Sequence, residues 1–278
     1  MTLSKCLEVE KVVKHYSHNG KHVHALDQVT FHVHKKEFIC IIGPSGCGKS
    51  TLLKIIAGLD RPTSGEVRFQ GETVKEPHPK ISMVFQSFAL FPWRTVLQNV
   101  EFGLETRGVP KAERRKIALE LLELVGLKGY ENAYPKELSG GMKQRVGIAR
   151  ALAVDPEIVL MDEAFSAIDE FTAQVLRNEV LELWEETEKT FILVTHNLTE
   201  ALEMADRIIV LSTRPAKVKH EYHVSLKRPR NRSDSKFLRC QKELFNILKS
   251  ELEHTIVRHK LKAIHEHFKI EDMESFQR

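Results

Sequence analysis

The sequence contains no apolar stretch long enough to cross a membrane. A spanning helix needs roughly 18–20 apolar residues in succession, and no run in this chain approaches that length. The N-terminal residues MTLSKCLEVEKVVK also lack the apolar segment of a secretory signal, so none is expected. The chain has 278 residues, of which 42% are hydrophobic and 29% charged. This composition predicts a soluble globular protein with one large core or two smaller ones.

Cysteine is scarce, and its spacing does not suit a metal cluster. The chain has no internal repeat and no low-complexity tract either. Its four cysteines are Cys6, Cys40, Cys47 and Cys240. Because no two of them are spaced as metal ligands are, we interpret them as free thiols in a reducing cytosol.

The net charge is small, and its distribution is more informative than its sum. A formal charge of +4 does not by itself indicate a nucleic-acid partner, and none is expected. Residues 214–240 carry nine Lys and Arg against two Asp and Glu, so this segment alone is +7 and the rest is −3. We interpret the segment as a solvated basic connector. Contact with an anionic membrane surface or a partner protein is the alternative.

Short, almost continuously apolar segments recur along the chain and predict an α/β fold. They are EFICIIG, SMVFQ, IVLMDE, FILVTH and RIIVLS. Strands buried on both faces of a parallel sheet have this pattern, and helical patterns lie between several of them. The first 35 residues and the segment GEVRFQGETV have a different, half-buried β pattern.

Two further regions depart from the α/β pattern. Residues 87–156 contain no strand runs, and the segment KAERRKIALELLELVGL places Ile117, Leu121, Leu124 and Val125 on one predicted helix face. We therefore predict a helical subdomain inserted at roughly 87–156. After residue 225 we predict a basic, proline-broken linker and then an amphipathic helical extension, so that the chain divides into 1–225 and 226–278.

The nonapeptide GPSGCGKST predicts a phosphate-binding loop. It fits the pattern GxxxxGK[ST], follows the strand EFICII and precedes the apolar helix TLLKIIAGL. Glycines allow close backbone approach, so that N–H groups and the helix N-terminus can meet phosphate oxygens. The lysine can reach the β- and γ-phosphates of ATP, and the first hydroxyl can ligate Mg²⁺. The predicted ATP-binding residues of the loop are Gly43, Pro44, Ser45, Gly46, Cys47, Gly48, Lys49, Ser50 and Thr51.

Polar residues at the ends of three predicted strands complete a candidate catalytic site. Asp162 and Glu163 end IVLMDE, Gln86 ends SMVFQ and His196 ends FILVTH. Asp162, Ser50 and Gln86 suit a magnesium site, Glu163 suits a general base, and His196 suits a donor to the γ-phosphate. Adjacent residues of a strand point to opposite faces, so Asp162 and Glu163 can share one site only if the chain turns there.

A second anion-binding segment, LSGG, lies in the predicted helical insertion. Ser139 can cap the helix MKQRVGIARALAV and leave the N–H groups of Gly140 and Gly141 free for an anion. This segment and the first loop each make only half a pocket. We therefore predict that two chains pair head to tail and clamp each ATP between them.

Taken in this order, the motifs resemble those of the nucleotide-binding subunit of ATP-binding cassette (ABC) transporters. The resemblance covers roughly residues 7–214 and includes the D-loop SAID at 166–169. It implies a RecA-like P-loop NTPase core with an antiparallel β subdomain and a helical subdomain. It also implies that Tyr16 stacks on adenine and that Asp169 contacts the nucleotide of the partner chain. The chain departs from the family pattern at Ala164, where proline is common, and at Ile168, where leucine is usual.

The resemblance implies an ATPase that acts with other chains. Expected partners are integral-membrane permease subunits and, indirectly, a solute-binding protein, with the subunit peripheral at the cytoplasmic face of the membrane. The apolar cluster Phe88, Leu90, Phe91, Pro92 and Trp93 is the predicted permease contact, and packing within the helical subdomain is the alternative. The residues LFPW and VLQNV most resemble importers of nitrate, sulfonates and taurine, and importers of thiamine precursors and other small organic solutes are the alternative. A non-transport or regulatory ATPase is the alternative function.

Overall fold

Two β-sheets form the framework of the protein, a computed structural model of which describes residues 4–18 and 20–249. The small sheet has the strand order β2-β1-β4-β5, and the large sheet has the order β10-β9-β3-β8-β7-β6. The strands are β1 (Lys5–His18), β2 (Lys21–His34), β3 (Phe38–Ile42), β4 (Ser64–Phe69), β5 (Glu72–Thr73), β6 (Ile81–Val84), β7 (Ile158–Asp162), β8 (Thr190–Thr195), β9 (Arg207–Leu211) and β10 (Val218–His223).

Helices cover the large sheet and form a separate group between β6 and β7. They are α1 (Lys49–Ile56), α2 (Val96–Thr106), α3 (Lys111–Leu124), α4 (Gly140–Ala153), α5 (Glu170–Glu186), α6 (Leu198–Met204) and α7 (235–249), with a 3₁₀ turn at Pro135–Glu137. Within the described parts of the chain, no helix combines the length and apolar character that a membrane span requires.

The large sheet is parallel except for its edge strand β10, which pairs antiparallel with β9. Every residue of β3, β7, β8 and β9 is buried, as the continuous apolar runs predict. Alternate side chains of β3 enter two different cores. Ile39 and Ile41 pack toward α1 and the small sheet, whereas Phe38 and Cys40 pack toward α5 and α6. The small sheet is antiparallel throughout, so the predicted fold class is confirmed.

The helices α2, α3 and α4 bury a third core of their own, inside the region predicted as a helical insertion. On α3 the buried stripe runs through Ala118, Leu122 and the following Val125. The expectation that Leu124 lies on the buried face is wrong, because its side chain is 53% exposed. Leu124 follows Leu122 by two positions, which places it on the other side of a helix with 3.6 residues per turn. The subdomain boundaries and the division at residue 225 stay predictions.

The interpretation of the basic segment as a solvated connector is wrong for its central residues, 228–232, which we call the arginine strap. Arg228 donates to Asp206 over 2.6 Å and lies 4.4 Å above the ring of Trp184. Arg230 donates to backbone carbonyl oxygens, among them that of Ala205 at 2.7 Å. Burial, together with the positive charge of Arg228, lowers the pKa of Arg230 to about 10. The strap is thus part of the folded domain.

The helix α7 is anchored in the same core as α5 and α6. Phe237 is 1% exposed and Leu244 is fully buried, whereas Leu238 on the opposite face is 51% exposed. The sequence predicts an amphipathic helix from residue 237, and its first part is present. The expected positions from Leu252 to Phe268 lie outside the described residues.

Substitution of Leu244 tests this anchoring. We expect Leu244→Ala to lower the free energy of unfolding by about 2–5 kcal/mol, because it removes a fully buried side chain and leaves a cavity. Chemical denaturation of the full chain measures the change. Leu238→Ala on the same helix is the matched control and should cost much less. Equal effects of the two substitutions would contradict a docked α7.

Candidate functional site

The loop between β3 and α1 is shaped for phosphate. Gly48 has φ +128°, and a Cβ there would lie 3.0 Å from the carbonyl oxygen of Ala25, so no larger residue fits. The side chain of Lys49 is only 5% exposed and donates to the carbonyl oxygens of Gly43 at 2.8 Å and Pro44 at 3.1 Å. The N-terminus of α1 begins at Lys49. A buried ammonium group and free helix N–H groups therefore face the same cradle.

Arg214 supports this loop from outside and was missed by the sequence analysis. Its Nε and Nη2 donate to the carbonyl oxygen of Gly46 over 3.1 and 2.9 Å. Arg214 lies in the turn between β9 and β10, which are distant from the loop in sequence. Only the tertiary structure brings the two segments together, so no local pattern could have identified this contact.

Ser50 and Asp162 form the predicted oxygen pair. The hydroxyl of Ser50 and the Oδ1 of Asp162 are 2.9 Å apart, and Asp162 is 6% exposed. Burial raises the pKa of Asp162, the hydrogen bond from Ser50 opposes this change, and the charge of Glu163 adds to it. A hydroxyl and a carboxylate are the ligand types that Mg²⁺ prefers. Ser50 and Asp162 thus fit a Mg²⁺ ion. The ion would neutralise part of the charge of the Asp162 carboxylate, whose burial is otherwise unfavourable.

The chain turns at Glu163, and this turn allows the two adjacent acids Asp162 and Glu163 to share one site. Glu163 has φ +47°, in the left-handed region, and its N–H donates to the carbonyl oxygen of Val194 over 2.9 Å. Its carboxylate lies between Gln86 Nε2 at 3.1 Å and His196 Nδ1 at 3.4 Å. A non-glycine residue in this backbone region is strained, and such strain is typical of functional sites. The structure thus brings Gln86, Glu163 and His196 together at the edge where β6, β7 and β8 end.

Tyr16 lies beside the end of the phosphate loop. Its hydroxyl donates to Asp60 Oδ2 over 2.8 Å and is 3.5 Å from Thr51 Oγ1. The ammonium of Lys14 lies 4.8 Å above the Tyr16 ring and also pairs with Asp60. Lys14 and Asp60 were missed by the sequence analysis, because their role is to hold an aromatic ring rather than to bind a ligand. Stacking of Tyr16 on adenine stays a prediction.

The LSGG segment forms the start of α4, as the sequence predicts, and it packs against the start of α5. Ser139 Oγ caps α4 by accepting from the N–H of Met142 over 3.3 Å. A Cβ at Gly141 would lie 2.7 Å from Thr172 Cγ2, so α4 packs closely on the start of α5. Asp169 caps α5 by accepting from Thr172 N over 2.9 Å.

The two anion-binding segments have separate hydrogen-bond partners within the described residues. In the part of the chain that the structure describes, no hydrogen bond or ion pair connects residues 139–141 or Asp169 to the loop 43–51 or to Glu163. The N–H groups at the start of α4 have no acceptor within the helix. The contact of Ser139, Gly140, Gly141 and Asp169 with a partner's nucleotide stays a prediction.

Cys47 is buried inside the loop and is not exposed to reagents. Its side chain is 2% exposed and packs in the core between α1 and the small sheet. Burial raises the pKa of the Cys47 thiol, and the charge of Lys49 only partly offsets this effect. Since the thiolate is the reactive form, block of the loop by a thiol reagent is not expected.

Thiol titration of the native protein tests this conclusion. We expect Cys47 to react with an aromatic disulfide reagent no faster than Cys6, which is 3% exposed, and both to react far more slowly than the half-buried Cys240. The reaction of Cys47→Ser and Cys240→Ser variants assigns each phase. Loss of a fast phase in Cys47→Ser would contradict the buried thiol.

Comparisons with known proteins agree with this geometry. The ABC transporter family model matches residues 26–166. An uncharacterised ABC transporter ATP-binding protein of Methanocaldococcus jannaschii is 51% identical over 88% of this chain and 92% of its own length. The nitrate import ATP-binding protein NrtD of Synechocystis is 42% identical over 83% and 91%. The aliphatic sulfonates import ATP-binding protein SsuB of Bacillus cereus is 41% identical over 86% of this chain and 94% of its own length. The taurine import ATP-binding protein TauB of Roseobacter denitrificans is 46% identical over 74% of this chain and 77% of its own length.

A solved structure extends the comparison to the fold. It is a dimeric ATP-binding cassette in a post-hydrolysis state with bound ADP and phosphate. It is 37% identical to this chain, with a TM-score of 0.72, and covers 80% of this chain and all of its own. With the phosphate loop, the Ser50–Asp162 pair and the Glu163 site, these matches identify the chain as a member of the ABC transporter family of ATP-binding proteins and as an ATPase.

Proposed function

We propose that the protein is the ATP-hydrolysing subunit of an ABC importer, at the cytoplasmic face of a membrane. It energises uptake of a small solute, namely nitrate, a sulfonate or a taurine-like molecule, through separate permease subunits. The observation that carries the ATPase role is the Glu163 carboxylate, held by Gln86 and His196 one residue from the Ser50–Asp162 pair. The similarity to import proteins for nitrate, aliphatic sulfonates and taurine supports the solute class.

In this proposal the chain activates water at one edge of the parallel sheet. Glu163 accepts the proton of the attacking water, and Gln86 holds its carboxylate in position. His196, whose Nδ1 lies 3.4 Å from Glu163, donates to the γ-phosphate. Lys49 leaves the carbonyl oxygens of Gly43 and Pro44 and donates to the β- and γ-phosphates. Bound between Ser50, Asp162 and Gln86, Mg²⁺ would supply electrostatic stabilisation of the phosphate charge.

We further propose that the working form is a head-to-tail dimer. Residues 139–141 and Asp169 of one chain complete the pocket around the nucleotide that lies on residues 43–51 of the other. Moving the ratio of open to closed dimers from 99:1 to 1:99 needs about 5.5 kcal/mol of differential binding. Contacts of the nucleotide with the second chain are the source of that free energy, because they exist only in the closed dimer.

The proposed permease contact is the exposed part of the cluster after Gln86. Trp93 is 72% exposed, whereas Leu90 packs against the helical core and Phe91 packs against Phe102, with tilted rings whose centroids are 4.5 Å apart. Core packing thus accounts for Leu90 and in part for Phe91. Phe88 has φ +61°, and Arg150 holds its carbonyl oxygen at 2.9 Å, so the chain turns sharply here. Trp93 follows this turn and Gln86 precedes it, so a subunit that binds Trp93 would lie seven residues along the chain from Gln86.

Glu163→Gln tests the role of the general base. We expect the ATPase kcat to fall by about 10²-fold or more, because removal of a positioned general base has effects of this size. The variant should also accumulate as an ATP-bound dimer in gel filtration. Glu157→Gln is the matched control, since Glu157 precedes the other end of β7. A normal rate in Glu163→Gln would exclude Glu163 as the base.

Uptake measurements test the transport role. In cells that carry this chain as the only matching ATPase, we expect uptake of labelled nitrate, an alkanesulfonate or taurine to require Glu163.

The variant Trp93→Ala tests the permease contact and should abolish both co-purification with membrane subunits and uptake. The ATPase rate of the isolated chain should stay within about twofold of wild type, because the side chain of Trp93 is largely exposed. Leu59→Ala is the matched exposed control. Full ATPase activity without uptake of any of these solutes would favour a non-transport ATPase.

A further inference from the structure

The arginine strap holds the C-terminal end of α6, the helix that follows His196. The strap residue Arg230 donates to the carbonyl oxygens of Leu202 and Ala205, and Arg228 donates to that of Met204. These carbonyl groups lie at the end of α6, where no N–H group of the helix itself donates to them. The positive charge of a guanidinium group is also stabilised by the negative C-terminal end of the helix dipole. The strap therefore fixes where α6 ends.

The start of α6 is held by the helix α7. Asn197 caps α6 directly after His196, with its Oδ1 accepting from Thr199 N over 2.9 Å. Gln241 of α7 donates to Thr199 Oγ1 over 2.9 Å. The arginine strap and α7 thus contact both ends of α6, the helix that begins two residues after His196.

A buried arginine joins α6 to α5, the helix that begins after Asp169. Arg177 is 1% exposed and pairs with Glu170 at 2.9 Å, Glu203 at 3.0 Å and Glu200 at 3.4 Å. Glu200 also accepts from Thr195 Oγ1 over 2.6 Å, one residue before His196. A buried guanidinium without such partners would be strongly unfavourable, so this cluster keeps the two helices in a fixed relation.

Arg232 of the strap completes the cluster. It donates to Glu170 Oε1 at 2.9 Å and to Glu203 Oε2 at 3.0 Å, and so bridges α5 and α6. Without it, three carboxylates would face the single guanidinium of Arg177. Although burial opposes the ionisation of Glu170, hydrogen bonds from Arg232 and Arg177 lower its pKa. Arg232 thus supplies a second cation to the cluster.

We propose that Arg232 is a positioning residue for ATP hydrolysis, through which the C-terminal segment sets the position of His196 relative to the D-loop, 166–169. Arg232 shares Glu203 with Arg177, which in turn pairs with Glu200, the acceptor of the Thr195 hydroxyl. Arg232 also pairs with Glu170, the residue after Asp169, and it acts without contact to the nucleotide. This inference rests on the roles proposed above for His196 and the D-loop. Its consequence is that the C-terminal segment governs the hydrolytic step rather than ATP binding.

The experiment compares Arg232→Gln and Arg232→Lys in the full chain. We expect Arg232→Gln to lower the ATPase kcat by about tenfold, because small displacements of catalytic groups cost rates of this order, while KM stays within about twofold. Arg232→Lys keeps the charge but loses the planar fork, so its kcat should lie between those of Arg232→Gln and wild type. Thermal unfolding and ATP affinity are measured on the same preparations.

The control is Arg68→Gln, which removes the ion pairs of Arg68 with Glu10 and Glu66 on the small sheet. It should leave kcat unchanged. A kcat of Arg232→Gln within about twofold of wild type, a loss seen in KM alone, or an equal loss in Arg68→Gln would overturn the proposal.

A second variant keeps the test decisive if Arg232→Gln does not fold. Gln241→Leu removes the bond from α7 to Thr199 without burying a charge, and it should lower kcat by about two- to threefold with unchanged KM. Unchanged kcat in Gln241→Leu would count against coupling through α6. The assay needs no permease and no solute, so failed uptake and an unchanged kcat of Arg232→Gln contradict different claims.

Discussion

Parallel pairing of four neighbouring strands is the constraint on which the rest of the structure depends. Because β3, β8, β7 and β6 run in the same direction, their carboxyl ends meet at one edge of the sheet. The phosphate loop leaves β3, His196 follows β8, Asp162 ends β7 and Gln86 follows β6. These side chains are far apart in sequence, and only this strand direction brings them to one place. The strained turn at Glu163 then points the second acid into the same site.

The side chain of Lys49 and the start of α4 are both suited to bind a charged ligand. Lys49 satisfies its charge with carbonyl oxygens of its own loop, and the start of α4 offers N–H groups with no partner in the helix. Both features are those of a site that awaits a charged ligand. In the account proposed here, the phosphates take over both sets of bonds, and the nucleotide lies in the contact between two chains. Binding and dimer closure are then one event.

Much of the fold could be predicted from sequence because buried parallel strands leave a continuous apolar pattern. The strands β3, β6, β7, β8 and β9 and the polar groups at their ends follow from that pattern, and the contacts of Ser50 and Glu163 match it. The arginine strap could not be predicted in this way. A basic, proline-containing segment looks solvated, and its carbonyl and carboxylate partners on α5 and α6 exist only after folding. Arg214, Lys14 and Asp60 escaped notice for the same reason. Leu124 was misplaced because periodicity fixes a helix face only to within one residue.

The central claim, a pocket completed by a second chain, is tested most directly by mixing two inactive variants. Lys49→Ala breaks the phosphate loop and Ser139→Arg breaks the LSGG segment, so each should be inactive alone. In a mixed head-to-tail dimer one pocket carries both lesions and the other carries neither, so an equal mixture should recover about a quarter of the wild-type ATPase rate. Lys49→Ala mixed with Glu163→Gln is the control, because both residues belong to the same half-site and no intact pocket can form. Full activity of Ser139→Arg alone, or no recovery in the first mixture, would contradict the account.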